Sequence, residues 1–144
     1  MSILMRDQTG KMSLHNGAVA APGVDAGALA AELRAAVRGE VRFDQGSRAL
    51  YATDASIYRQ TPIGVVIPKD IEAAVRTVAI ARRHGAPMLA RGGGTSLEGQ
   101  CCNIAVVIDF SKYLNNILEI DPARKLARVQ PGVICDQLRH AAEQ

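Results

Sequence analysis

At 144 residues the chain is sized for one domain, and its 48% hydrophobic and 22% charged residues are those of a globular protein. The net charge of +3 is scattered along the chain, and only 3% of residues are aromatic, so neither the basic stripe nor the stacking platform of a nucleic-acid binder is present. No apolar run approaches the ~20 residues of a membrane span, and the N-terminus lacks the apolar centre of a secretory signal.

Residues 1–24 hold Gly10, Gly17, Pro22 and Gly23 among scattered polar residues and read as a disordered tail. Asp25 can cap a helix running to about Arg38. Ala26, Leu29, Ala30, Leu33 and Val37 share one face of it, and Gly39 can end it. Phe43 to Tyr58 is less regular, with a short helical turn over Ser47–Tyr51. Ile63 to Ile67 is a buried strand closed by Pro68. Asp70 can cap a second helix, with Ile71, Ala74, Val75, Val78 and Ala79 as its apolar face and His84-Gly85 as its end. Pro87 to Ala90 is a further strand, Arg91 to Gly99 a glycine-rich loop, and Ile104 to Ile108 a strand ended by Asp109. Ile117–Ile120 and Leu126–Val129 form a hairpin about Asp121-Pro122-Ala123-Arg124. Pro131-Gly132 breaks the second strand, and a last helix begins near Val133. The order predicts a mixed α/β or α+β domain that opens on a strand–helix–strand unit.

Cys101, Cys102 and Cys135 make no disulfide framework, which points to a reducing cytoplasm. The adjacent pair reads as two small buried or half-buried thiols, with redox activity as the alternative. No Cys or His pairs stand at metal-ligand spacing.

Arg91-Gly92-Gly93-Gly94-Thr95-Ser96-Leu97-Glu98-Gly99 lies between two strands. Successive glycine amides can form a concave anion nest, and Thr95 and Ser96 add hydroxyl donors. Two well-known phosphate loops do not match. Gly94 and Gly99 have the P-loop spacing, but Gln100 and Cys101 stand where Lys and Ser or Thr are needed. Gly92 and Gly94 begin a dinucleotide fingerprint, but Leu97 takes its third glycine's place and no helix follows.

From about Tyr51 onward the chain resembles the FAD-binding domain of the vanillyl-alcohol oxidase and p-cresol methylhydroxylase superfamily. The resemblance is carried by Gly64-Val65-Val66-Ile67-Pro68, the Asp70–Gly85 helix, Pro87-Met88-Leu89-Ala90-Arg91-Gly92-Gly93-Gly94-Thr95-Ser96, Val107-Ile108-Asp109-Phe110-Ser111 and Val129-Gln130-Pro131-Gly132-Val133. Tyr51-Ala52-Thr53-Asp54-Ala55-Ser56-Ile57-Tyr58 is similar to the entry segment of long bacterial D-2-hydroxy-acid dehydrogenases, which add an iron–sulfur region at the C-terminus. The resemblance implies an α+β fold of the p-cresol methylhydroxylase type: the first α/β subdomain and the start of the second, incomplete at the C-terminus. Residues 25–62 would be a helical lead-in and 63–144 the FAD-binding domain.

The same resemblance implies roles. Gly92, Gly93, Gly94, Thr95 and Ser96 would bind the FAD pyrophosphate through backbone N–H groups and hydroxyls, with Arg91 beside them also cofactor-binding. Pro68 would lie near the adenosine half and Gly99 near the flavin, with Pro131, Gly132 and Val133 as a second backbone segment. For Pro68 and Pro131, plain strand termination is the alternative. Some relatives attach FAD through a His after the glycines; Thr95 stands there, which implies non-covalent FAD. His84 and His140 read as surface or packed residues. The partners implied are FAD and, in a complete enzyme, a small 2-hydroxy acid such as glycolate, D-lactate or D-2-hydroxyglutarate. An iron–sulfur cluster would belong only to a missing C-terminal region. The alternative is a truncated, non-catalytic FAD-binding module; related domains of cell-wall precursor reductases and molybdenum hydroxylases are a third reading. No catalytic residue is expected, and the fragment alone should be inactive and marginally stable.

Overall fold

The computed structural model describes Ile3–Arg6, Met12–His15 and residues 23–144. Strands β1 (Ile3–Arg6) and β2 (Met12–His15) pair antiparallel, Ile3 opposite His15. The remainder of the expected tail, up to residue 22, lies outside the described residues.

Helix α1 (Ala26–Ala36) starts as expected: the Asp25 carboxylate accepts from the amides of Gly27 and Ala28 at 2.9 and 3.0 Å. It stops two residues before the expected end. Val37 turns extended and leads into β3 (Gly39–Arg42), an edge strand absent from the sequence reading. Gly39 is therefore a strand residue and not a helix stop. It faces Pro68 across the pair, where a Cβ would stand 2.4 Å from the Ile67 carbonyl oxygen. Close strand approach, not helix termination, accounts for this glycine.

Helix α2 (Gln45–Leu50) is capped by Asp44 and replaces the expected single turn. Strand β4 (Gly64–Pro68) is buried throughout, and Pro68 is its last residue. Helix α3 (Ile71–Arg83) has Asp70 as its cap, with the Ala73 amide donating at 2.8 Å, and closes at His84 and Gly85. Its buried face differs from the expected one. Ala73, Thr77, Ile80 and Ala81 face the core, whereas Ile71, Val75 and Val78 are exposed. Small residues at i, i+4 and i+8 allow the helix backbone to approach the sheet closely, and the larger β-branched row is left outward.

Strands β5 (Met88–Arg91), β6 (Val106–Asp109), β7 (Ile117–Asp121) and β8 (Leu126–Val129) follow, then α4 (Cys135–Ala142). β7 and β8 form a separate antiparallel pair. The main sheet has the order β3-β4-β6-β5: β3 is antiparallel to β4, and β4, β6 and β5 are mutually parallel. The β4–α3–β5 unit is thus present, with β6 inserted between its strands. One face packs on α1 and α3 through Leu29, Leu33, Val66, Ile80 and Val106. The other buries Val65, Ile67 and Val107 against Tyr51, Leu89 and Tyr113. The carboxyl ends of all three parallel strands lie on one edge, where open α/β sheets bind their ligands.

Near this edge Glu40 ties β3 to the segment after β6. Its carboxylate accepts from Lys112 Nζ at 2.5 Å, from the Tyr113 hydroxyl at 2.8 Å and from Arg42. The Lys112 bond, helped by Tyr113 and Arg42, lowers the Glu40 carboxyl from 4.5 to about 2. The folded value is the lower one, so Glu40 contributes stability above the unfolded range and loses it as pH falls through about 2. Urea midpoints measured from pH 5 down to 2 should fall more steeply for the parent than for Glu40→Gln; parallel profiles would refute this linkage.

Candidate functional site

The glycine loop leaves the carboxyl end of β5 and returns to the start of β6 without forming a helix or strand. Among the described residues, no acceptor is hydrogen-bonded to the amides of Gly92, Gly93, Gly94, Thr95, Ser96 or Leu97. Six consecutive donors thus have no partner among the described residues. Gly94 has φ +68°, a left-handed conformation within the glycine run. Thr95 is exposed, and its hydroxyl bonds to no described residue. Ser96 differs: its hydroxyl donates to Gln100 Oε1 and accepts from the Gln100 amide at 3.2 Å. Ser96 therefore closes the loop, while Thr95 stays available.

Arg91 turns inward. Its Nη1 donates to the Cys101 carbonyl at 3.1 Å and to that of Tyr51 at 3.5 Å, and its guanidinium stands 5.2 Å from the Tyr51 ring centroid. A Cβ on Gly94 would come within 2.4 Å of Arg91 Nη2, so the guanidinium packs against the loop backbone. Tyr51 is held in turn by Asp109, buried at the end of β6, to which its hydroxyl donates at 2.6 Å. Burial and this bond push the Tyr51 phenol up to about 12, so it stays a donor at neutral pH.

The second expected segment meets the first. The Pro131 carbonyl oxygen lies 3.6 Å from where a Gly92 Cβ would stand. The Gly132 amide donates to Leu114 O at 2.8 Å, and the Val133 amide to Gln130 O at 3.1 Å. Gly99, at φ +78°, sits against the Tyr58 ring. Pro68 is fully buried, so its ring has no open face for a ligand.

Residues upstream of the expected domain also reach the loop. Ala55 N donates to Gly94 O at 3.1 Å, and Cys101 N to Asp54 Oδ2 at 3.2 Å. Asp54 Oδ1 accepts from Ser56 N at 2.9 Å, an Asx turn whose signature, Asp54-Ala55-Ser56, was visible in the sequence. Ser56 chiefly holds the Asp54 carboxyl below its usual range. Cys102 is buried, and that burial raises its thiol pKa. His84 pairs with Glu32 at 2.7 Å, and His140 bonds within α4. Among the described residues no His, Cys, Asp and Glu cluster could hold a metal.

The sequence pattern of the family described as FAD binding domain matches residues 62–144, more than half of the chain. The chain belongs to the FAD binding domain family. It is 37% identical over 107 residues to a D-2-hydroxyglutarate dehydrogenase of Pseudomonas putida, covering 72% of this chain and 11% of that protein. It is 37% identical over 112 residues to the glycolate oxidase subunit GlcD of Bacillus subtilis, covering 74% of this chain and 24% of that one. In fold it is similar to p-cresol methylhydroxylase, with a TM-score of 0.68 at 22% identity over 81% of this chain and 24% of that chain. The 4-ethylphenol oxidase of Gulosibacter chungangensis gives the same score at 24% identity, over 87% of this chain and 26% of that one. The chain thus spans about a tenth to a quarter of the relatives it matches.

The mixed α/β architecture agrees with the expectation of a partial flavoprotein fold of the p-cresol methylhydroxylase type. The donor set suits the family's cofactor. FAD brings a diphosphate, and a run of unpaired amides with an exposed hydroxyl beside it is the chemistry a diphosphate takes. The family's matched span begins at residue 62, yet the FAD binding domain of this chain is shaped in part by Tyr51, Asp54, Ala55 and Tyr58, which precede it.

Proposed function

We propose that this chain is the FAD-holding part of a cytoplasmic flavin-dependent dehydrogenase that oxidises a D-2-hydroxy acid, with its FAD bound non-covalently. The observation that carries the reading is the run of amides from Gly92 to Leu97, without partners among the described residues, at the carboxyl edge of the parallel strands. Gly92, Gly93, Gly94 and Thr95 hold the diphosphate through their amides and the Thr95 hydroxyl. Ser96 and Arg91 keep the loop in shape from within, and Pro131, Gly132 and Val133 line its other side. Pro68 closes β4 from inside the protein, and Gly99 fixes the loop's far end against Tyr58. Thr95, where some relatives place a His, offers no nitrogen for a covalent link.

FAD, when bound, supplies the acceptor for a hydride leaving the substrate carbon. This chain's residues bind and orient it. The D-2-hydroxyglutarate dehydrogenase and glycolate oxidase relatives support the substrate class. Because the chain spans so little of them, we assign the groups that touch substrate to regions beyond it, and a module without turnover of its own is the second reading.

Titrating the chain with FAD, ADP and riboflavin tests the assignment. ADP carries the diphosphate without the flavin, and riboflavin the flavin without the diphosphate. FAD should bind at least about ten-fold more tightly than riboflavin, because charge-assisted bonds contribute roughly 1.5–3 kcal/mol. Equal affinities would remove the diphosphate from the recognition.

A further inference from the structure

The loop from Gly92 to Ala105 has no helix or strand of its own, yet an anion nest must be ordered before its ligand arrives if its amides are to act together. Ordering so long a segment costs conformational entropy that its own contacts must offset. The loop's internal bonds are local: the Ser96–Gln100 pair, the Glu98 amide on Gln100 Oε1, the Cys102 amide on Gly99 O and the Ile104 amide on Asn103 Oδ1. Of what pins it from outside, the larger part comes from residues 51–58, the stretch between α2 and β4.

That stretch meets the loop along its length. At the start, Arg91 reaches Tyr51 O. In the middle, Ala55 N donates to Gly94 O at 3.1 Å. Further on, Gly99 rests on the Tyr58 ring. At the end, Asp54 Oδ2 takes the Cys101 amide at 3.2 Å. These contacts use a loop carbonyl and the amide of Cys101, and they leave the amides of Gly92 to Leu97 untouched. Asp54 is the charged member of the set. Its two oxygens are divided between its own turn, through Ser56 N, and the loop, through Cys101 N, so one carboxylate joins the two segments.

We infer that residues 51–58 are a strap that preorganises the FAD diphosphate loop, and that Asp54 is its positioning residue. The inference rests on the flavin reading above for its consequence and on the hydrogen bonds alone for the strap. Asp54 does not touch the cofactor. It acts through Cys101 and the loop backbone, and a carboxylate acceptor makes a stronger bond to an amide than a neutral one does.

The test compares the parent chain with Asp54→Asn and Asp54→Ala by hydrogen–deuterium exchange without ligand and by FAD and ADP titration. Asp54→Asn keeps one carbonyl oxygen for Ser56 N and turns a donor toward Cys101 N. Both variants should exchange faster across residues 92–102 and keep parental exchange in β4, β6 and α3. FAD and ADP should weaken by the same factor, about ten-fold for one charge-assisted bond. Three outcomes would overturn the inference: unchanged exchange over 92–102, faster exchange spread through the sheet and α3, or unchanged FAD and ADP affinity despite a loosened loop. Should the parent itself bind neither nucleotide, the flavin reading falls separately. The strap then stands or falls on whether the exchange change is confined to the loop.

Discussion

Gly132→Ala is expected to destabilise the chain by about 2–3 kcal/mol, the upper range for overpacking at a site that cannot relax. A Cβ there would lie 2.3 Å from Phe110 O and 2.8 Å from Leu114 O. Both neighbours are backbone, and the Gly132 amide already donates to Leu114 O at 2.8 Å. Moving the residue away from the clash breaks that bond, and moving Phe110 disturbs its amide's bond to Arg91 O. The strain therefore passes directly from the second segment to the root of the glycine loop. A thermal melt followed by circular dichroism should show a midpoint roughly 5–10 °C lower. A melt indistinguishable from the parent would mean that this turn can shift freely, and its place beside Gly92 would lose its significance.

The second large effect is on binding. Gly94→Ala should weaken FAD by about ten- to hundred-fold while costing only roughly 1–2 kcal/mol of stability, the usual penalty for an L-residue in the left-handed region. Gly94 needs φ +68°, and its added methyl would fall against a guanidinium already fixed by the Tyr51 ring and the Cys101 carbonyl. The loop must then either expel Arg91 or abandon its backbone path. Gly93→Ala is the internal comparison. Its Cβ would meet only Thr95 Cγ2 at 3.6 Å, so the fold should tolerate it. If both alanine variants kept parental FAD affinity, the triple glycine would not be the diphosphate site.

Much of this arrangement could be read from the letters because it rests on local signals. Asp25 and Asp70 announce helix starts and do cap them. The continuous apolar runs before Pro68 and Asp109 are buried strands. The loop and its position between two strands follow from motif and order, and the second segment at Pro131, whose carbonyl approaches Gly92, was implied by the resemblance. What was missed depends on distant partners. Gly39–Arg42 has no strand pattern of its own and becomes a strand only because β4 presents an open edge. The outward turn of Ile71, Val75 and Val78 reflects how closely the small residues of α3 fit the sheet, which periodicity does not weigh. The resemblance placed Arg91 at the cofactor without saying where its guanidinium points, and that inward direction depends on Tyr51, forty positions earlier.

The placement of β6 between β4 and β5 has a kinetic meaning. The two outer parallel strands have no seam to share until the central one arrives, and it arrives only after the glycine loop has been made. The expected consequence is a link between the loop and closure of the sheet: slack introduced at the loop should slow refolding of the whole sheet, because the loop must close before β6 can pair with either neighbour.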